Sequence, residues 1–72
     1  MSIQKLINVH SGVAIELNAI PPFTSPNWPE PTVVRRIVEA RNCYEVYGTR
    51  GATSSQTLLL RVPYDSHLEV RI

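Results

Sequence analysis

Cysteine is nearly absent from this sequence: Cys43 is the single example, so no disulfide can form within the chain. Small secreted domains generally depend on roughly two to four disulfides to remain folded. The first residues also lack the basic leader and the apolar run that mark a secretory signal. We therefore expect a cytoplasmic protein that folds under reducing conditions.

Long apolar segments and a dominant charge are missing as well. No window approaches the roughly 18 consecutive apolar residues of a membrane-spanning helix. Seven basic residues, all but one of them arginine, oppose six acidic residues and leave a net charge of +1. A nearly neutral chain exerts little attraction on nucleic acid or anionic lipid. We expect neither a membrane nor nucleic acid among the partners.

The chain is also short, since its 72 residues suffice for a single domain that spans residues 1–72. A chain of this size buries only about 60% of its unfolded surface on folding, which leaves a small margin of stability. Binding to another protein, or to a second copy, adds to such a margin. A protein partner or a homodimer is therefore expected.

The N-terminal residues alternate between apolar and polar side chains, with Val13, Ile15 and Leu17 on one side of their segment. A period of two is the pattern of a β-strand. Gly12 lies between two such segments, in a position where a tight turn favours positive φ. Residues 3–9 and 13–19 are therefore predicted to form an antiparallel hairpin.

Proline is concentrated in residues 21–31, which contain five of the six prolines. Proline lacks an N–H donor and has a fixed φ, so this segment is predicted to be a stiff, extended connection. It carries Phe23 and Trp28, for which two interpretations remain open. These aromatic residues either close one face of the small core or anchor a partner protein.

Residues 31–42 are predicted to form a helix. Pro29 or Pro31 suits the first turn of a helix, and apolar residues recur afterwards at intervals of three and four. Arg35 and Arg36 would lie on the opposite side, whereas a strand would place arginine on both of its faces. The apolar positions of this predicted helix are Val33, Val34, Ile37 and Val38.

Three further strands are predicted at residues 44–47, 58–62 and 68–72, with a turn-rich loop at 48–55. The resulting order is β-β-α-β-β-β, an α+β domain in which one helix packs on a mixed or antiparallel sheet. The core is expected to contain residues from both parts of the chain, namely Ile15, Leu17, Leu60 and Val70 against Val34 and Ile37.

This order of elements resembles the ubiquitin-like β-grasp fold over the whole chain, as topology without a family motif. The members of that family that are conjugated to other proteins end in two glycines. This sequence ends in Val70-Arg71-Ile72, so the resemblance implies the fold and does not imply conjugation.

A local segment is similar to the recognition helix of excisionase-type winged-helix proteins. It is Val33-Val34-Arg35-Arg36-Ile37-Val38-Glu39-Ala40-Arg41, followed by residues 44–62 as a β-wing. This resemblance implies an alternative fold, the winged helix, and an alternative function as a DNA-binding accessory factor. The proline-rich insertion and the strand-like N-terminus depart from that family's pattern.

Residues with catalytic or metal-binding chemistry are few. His10, Cys43 and His67 are zinc-ligand types, but none has the close sequence spacing of structural zinc sites. Asp65-Ser66-His67 contains the residue types of a catalytic triad, yet adjacent residues cannot align as a triad. Asp65 instead suits a turn in which its side chain accepts a hydrogen bond from the nearby backbone. No enzyme activity, metal or cofactor is therefore predicted.

The predicted function is that of a small non-enzymatic protein-binding module or inhibitor, of the kind encoded by phages and other mobile elements. It would act by occluding or bridging a larger complex. Arginine is suited to interface contacts because its planar guanidinium donates two parallel hydrogen bonds. The residues predicted to bind the partner are Phe23, Trp28, Arg35, Arg36 and Arg50.

Overall fold

The structure is a computed structural model that describes residues 2–22, 31–51 and 55–72. Within these ranges the chain forms six β-strands and no helix. The strands are β1 (Lys5–Asn8), β2 (Ala14–Glu16), β3 (Thr32–Glu39), β4 (Cys43–Arg50), β5 (Thr57–Pro63) and β6 (Leu68–Arg71).

The first sheet has the order β2-β1-β6, and both of its ladders are antiparallel. Leu6, on the central strand, lies opposite Ile15 on one side and Val70 on the other. The turn between β1 and β2 contains Gly12 with a φ of 79°, a left-handed conformation that costs glycine little. The predicted N-terminal hairpin is confirmed.

The second sheet is an antiparallel meander with the order β3-β4-β5. Ile37, Val46 and Leu60 lie opposite one another across its three strands. A tight turn joins β3 to β4, and the Ala40 N–H donates to the Cys43 carbonyl at 2.9 Å. The strands predicted after residue 43 are confirmed, with β4 extending further than expected.

The predicted helix at residues 31–42 is wrong, because this segment contains the eight-residue strand β3. A β-bulge between Val34 and Arg36 shifts its register. Val34 and Ile37 are both buried, while Arg35 and Arg36 are consecutive and exposed. The bulge thus produces the spacing of three that was interpreted as a helical turn, and β-branched residues favour the strand.

The fold class is therefore all-β with two antiparallel sheets. The α+β prediction, the β-grasp resemblance and the winged-helix alternative each require a helix, and the described residues contain none. The first sheet is also not mixed, since every ladder in the described ranges is antiparallel.

A second register shift occurs where β5 pairs with β4. Val46 pairs with Leu60 and Tyr47 pairs with Leu58, so Leu59 is the extra residue. Leu59 is only 8% exposed and belongs to the core. A methyl group on Gly48 would lie 2.7 Å from Leu59 Cδ1, so glycine provides the space that this side chain occupies.

The core lies between the two sheets. Ile15, Val34 and Ile37 are buried as predicted, while Leu60 packs against the core and is only partly buried. The buried residues are Ile3, Leu6, Ile15, Val34, Ile37, Val46 and Leu59, and the partly buried residues packed on them are Leu17, Tyr44, Leu60, Val62 and Val70.

A short crossing segment joins the sheets after β2. The Asn18 N–H donates to the Val34 carbonyl at 2.7 Å, and the Val34 N–H donates to the Ala19 carbonyl at 3.0 Å. Asn18 has a φ of 63°, a left-handed conformation that asparagine tolerates better than most residues. This segment satisfies the backbone of β3 at its bulge.

In none of the described ranges does the chain form a helix with the length and apolar character needed to cross a bilayer.

Candidate functional site

An apolar groove of about 300 Å³ opens between the two sheets. We call it the inter-sheet groove. The residues that line it come from both sheets. The first sheet contributes residues of its strands and of the β1–β2 connection, and the second sheet contributes residues of its edge strand β5. The lining residues are Leu6, Asn8, Ser11, Val13, Ile15, Leu60, Val62 and Leu68.

The groove has a buried floor and an exposed rim. Leu6 and Ile15 lie opposite each other in the β1–β2 ladder and are 1% and 7% exposed. Val13 stands at the rim and is 49% exposed. Leu60 and Val62 occupy alternate positions of β5, so they lie on one face of the strand. An extended ligand could therefore cover apolar surface that the fold leaves open to water.

The strand that borders this groove is a sheet edge. β5 pairs with β4 on one side, and no other strand of the described ranges pairs with its second side. A sheet edge presents N–H and carbonyl groups that can pair with another extended chain. The groove thus combines apolar side chains with a strand edge to which no strand of the described ranges is bonded.

Two turns at one end of the groove bring His10 and His67 together. Their ring centres are 5.0 Å apart and the ring planes are inclined by 44°. The Val9 N–H donates to the His67 carbonyl at 2.8 Å and fastens one turn to the other. We call these two residues the histidine pair. Asn8 and Leu68, which neighbour the pair, also line the groove.

Asp65 organises the second of these turns. Its Oδ1 accepts from the backbone N–H of His67 at 2.8 Å and lies 2.9 Å from the Nδ1 atom of the same residue. The backbone hydrogen bond and the side-chain hydrogen bond hold the pKa of Asp65 below its ordinary value. The predicted role of Asp65 as a turn residue is confirmed.

The first turn is held in a similar way by Asn8. Its Oδ1 accepts from the backbone N–H groups of His10 and Ser11, both at 3.0 Å. The Gly12 N–H donates to the Asn8 carbonyl at 2.7 Å. Side-chain acceptors of this kind fix the backbone of a turn, so the position of His10 is set by its own segment.

The predicted arginine sites lie elsewhere. The bulge places Arg35 and Arg36 next to each other on the exposed side of β3. The strand β3 forms the edge of the second sheet opposite β5. Arg35 Nη1 donates to Asn18 Oδ1 at 3.0 Å. Arg50 lies at the end of β4, opposite Thr32. The structure therefore does not bring these three arginines to the inter-sheet groove.

The two aromatic residues predicted to bind a partner, Phe23 and Trp28, lie outside the described residues. So does most of the proline-rich connection at 21–31. Their alternative interpretations, as core or as anchor, stay predictions.

Glu45 organises the outer face of the second sheet. Glu45 Oε2 lies 3.3 Å from Arg61 Nε, and Glu45 Oε1 accepts from the Tyr47 hydroxyl at 3.2 Å. Loss of hydration raises the pKa of Tyr47, and the hydrogen bond to Glu45 raises it further. Glu45 thus pairs with both a cationic and a hydroxyl side chain on this face.

The Tyr64 side chain lies near the β3–β4 turn. Its hydroxyl donates to the Ala40 carbonyl, and its ring packs edge-on against Tyr44 with ring centres 4.8 Å apart. Loss of hydration raises the pKa of Tyr64, and the nearby charge of Glu39 adds to the effect. These contacts attach the segment after β5 to the β3–β4 turn.

Sequence reasoning missed the histidine pair because its members are far apart in the chain. They meet because β1 pairs with β6, which puts Asn8 opposite Leu68. Predicting that one pairing would have revealed the contact. Cys43 does not complete a metal site, since no three histidine, cysteine or acidic side chains gather around a common point in the described ranges.

No family model, curated protein or solved structure matches this chain. The geometry of the described ranges defines an all-β class of domain, with two three-stranded antiparallel sheets and an open groove between them.

Proposed function

We propose that this protein is a non-enzymatic binding module that receives an extended, apolar segment of a partner protein in the inter-sheet groove. The observation that carries this proposal is the position of the groove beside the edge strand β5. The partner segment adds to the second sheet as a fourth strand. Its backbone pairs with β5, and its side chains enter the groove.

Strand addition is a common mode of peptide recognition, because the sheet edge supplies main-chain hydrogen bonds and adjoining pockets select alternate side chains. Here the pocket wall consists of Leu60 and Val62, which are themselves two residues apart. The groove volume of about 300 Å³ is at the lower end of the range for ligand pockets. It suits one or two apolar side chains.

This mode of binding supports the function of an inhibitor. A segment held along β5 is sequestered from any other surface, so the module occludes the complex to which that segment belongs. The single free cysteine, Cys43, is consistent with action in a reducing compartment, and we assign the protein to the cytoplasm as part of this proposal.

The DNA-binding alternative loses its structural basis. It required residues 33–41 to form a recognition helix, and residues 32–39 form the strand β3. Arg35 is also engaged by Asn18, and the net charge of +1 supplies little attraction for phosphates.

The experiment uses random-sequence peptides selected by phage display, followed by fluorescence anisotropy with the synthetic peptide of highest enrichment. We expect enriched peptides to carry apolar residues at alternate positions. Val13→Asp places a charge at the rim of the groove, so it should weaken binding by at least about tenfold, which is roughly 1.4 kcal/mol.

The matched control is Val9→Asp. Val9 is also an exposed valine, at 57%, but it does not line the groove. Its substitution should leave the affinity within about twofold. Enrichment of no peptide, or equal effects of the two substitutions, would refute the proposed site.

A further inference from the structure

We propose that His10 and His67 bind a divalent transition-metal ion of the zinc type, with water in the remaining coordination positions. The described residues contain no cluster of three protein ligands, so the site consists of the two imidazoles alone. It is distinct from the groove, although it lies at one end of it.

The separation of the rings fits a shared ion. Zinc binds imidazole nitrogen at about 2.0–2.1 Å with tetrahedral geometry, which places the centres of two coordinated rings about 5 Å apart. The ring centres of His10 and His67 are 5.0 Å apart. The distance between the two rings therefore permits both to coordinate one ion.

Asp65 prepares His67 for this role. A carboxylate only accepts hydrogen bonds. We therefore assign the ring proton of His67 to Nδ1, which donates a hydrogen bond to Asp65 Oδ1 at 2.9 Å. In the neutral form of this tautomer, the Nε2 atom has the lone pair that a metal needs. A carboxylate behind a ligating imidazole is the usual arrangement in metal sites, where it fixes the tautomer and makes the ligand more basic.

The two turns are also held in place before any ion binds. The Val9 N–H donates to the His67 carbonyl at 2.8 Å, and Asn8 Oδ1 accepts from the His10 N–H at 3.0 Å. Little ordering of the backbone is therefore needed on binding. A bound ion would fasten the β1–β2 turn to the turn that precedes β6.

The test is a titration of the protein with zinc chloride, followed by isothermal titration calorimetry and by NMR of the histidine ring protons. We expect one ion per chain and perturbation of both rings. His10→Ala and His67→Ala should each weaken binding by at least about tenfold, and Asp65→Asn by about tenfold, as removal of a partner behind a metal ligand typically does.

Both histidines are exposed, so their substitution should leave the fold intact, and NMR spectra of the variants check this directly. Cys43→Ser is the control for binding by the thiol and should leave the affinity unchanged. Absence of binding at millimolar zinc would overturn the proposal. Undiminished binding by either histidine variant, or one ion per two chains, would do the same.

The result is independent of the peptide-binding proposal. Peptide affinity measured with a chelator present reports on the groove alone, while the zinc titration is performed without peptide. Failure of one proposal therefore leaves the other open to its own test.

Discussion

At the scale of single residues, Leu59 and Leu60 are adjacent leucines with different burial. Leu59 is the bulge residue and belongs to the buried core, whereas Leu60 is partly buried at the groove. Sequence alternation alone predicted Leu60 as the core residue, because it shares parity with Leu58 and Val62. The bulge reverses this assignment at one position.

We expect Leu59→Ala to lower the free energy of unfolding by about 2–5 kcal/mol, as for other leucines removed from a close-packed core. Leu60→Ala should cost less, because solvent can fill the space that it leaves. Urea denaturation followed by circular dichroism measures both values. A larger loss for Leu60→Ala would contradict the register of β5.

At the scale of the elements, β3 shows what the sequence could and could not predict. The N-terminal hairpin followed from the alternation in residues 13–19 and from the turn residue Gly12, although Lys5 interrupts the pattern in residues 3–9. In β3 the alternation is interrupted by one residue, so Val34 and Ile37 take the spacing of a helix. The exposure of Arg35 and Arg36 was nevertheless predicted correctly, because the bulge directs two consecutive residues to solvent, as the predicted helix would have done.

The functional elements were harder to predict for a different reason. The groove and the histidine pair arise from pairing between distant segments, as where Leu6 meets Val70 and Asn8 meets Leu68. Patterns within one segment carry no information about which strands become neighbours. Local chemistry did identify the Asp65 turn, because its hydrogen bonds connect residues two positions apart.

Deletion of Arg35 tests the bulge directly. Removing this residue leaves only Arg36, which faces solvent, between Val34 and Ile37. We expect β3 to become a regular strand in which Val34 and Ile37 still face the core. We expect a folded protein that loses about 1 kcal/mol of stability, on the scale of the hydrogen bond from Arg35 to Asn18.

The control is deletion of Val38 from the same strand. It lies beyond the bulge, so its removal shifts Ala40 out of register with Cys43 at the tight turn. We expect this variant to unfold. Thermal melts of both variants give the comparison, and unfolding of the Arg35 deletion would show that the bulge is essential to the sheet.

At the scale of the whole molecule, Tyr47 and Tyr64 make the free energy of unfolding fall as the pH becomes alkaline. The pKa of each is raised above the ordinary value of 10.0. The folded protein therefore keeps protons that the unfolded chain releases. Their contribution to stability is fully present below pH 10 and is lost as the pH rises through the folded-state pKa values.

We expect the urea midpoint to fall between about pH 9 and about pH 11, with a smaller fall in the double variant Tyr47→Phe, Tyr64→Phe. Urea denaturation at a series of pH values measures this difference. An identical fall in both proteins would assign the effect to other groups.

The pairing of β1 with β6 has a consequence for the time at which the protein can fold. The Gln4 N–H donates to the Arg71 carbonyl at 2.8 Å, so the central strand of the first sheet is joined to residues that are synthesised much later than β1. Before β6 has emerged from the ribosome, β1 can pair with β2 alone. Contacts between such distant segments are slow to form. The first sheet is therefore completed only once residues 68–71 have emerged, and until then Leu6 lacks the cover that Val70 provides.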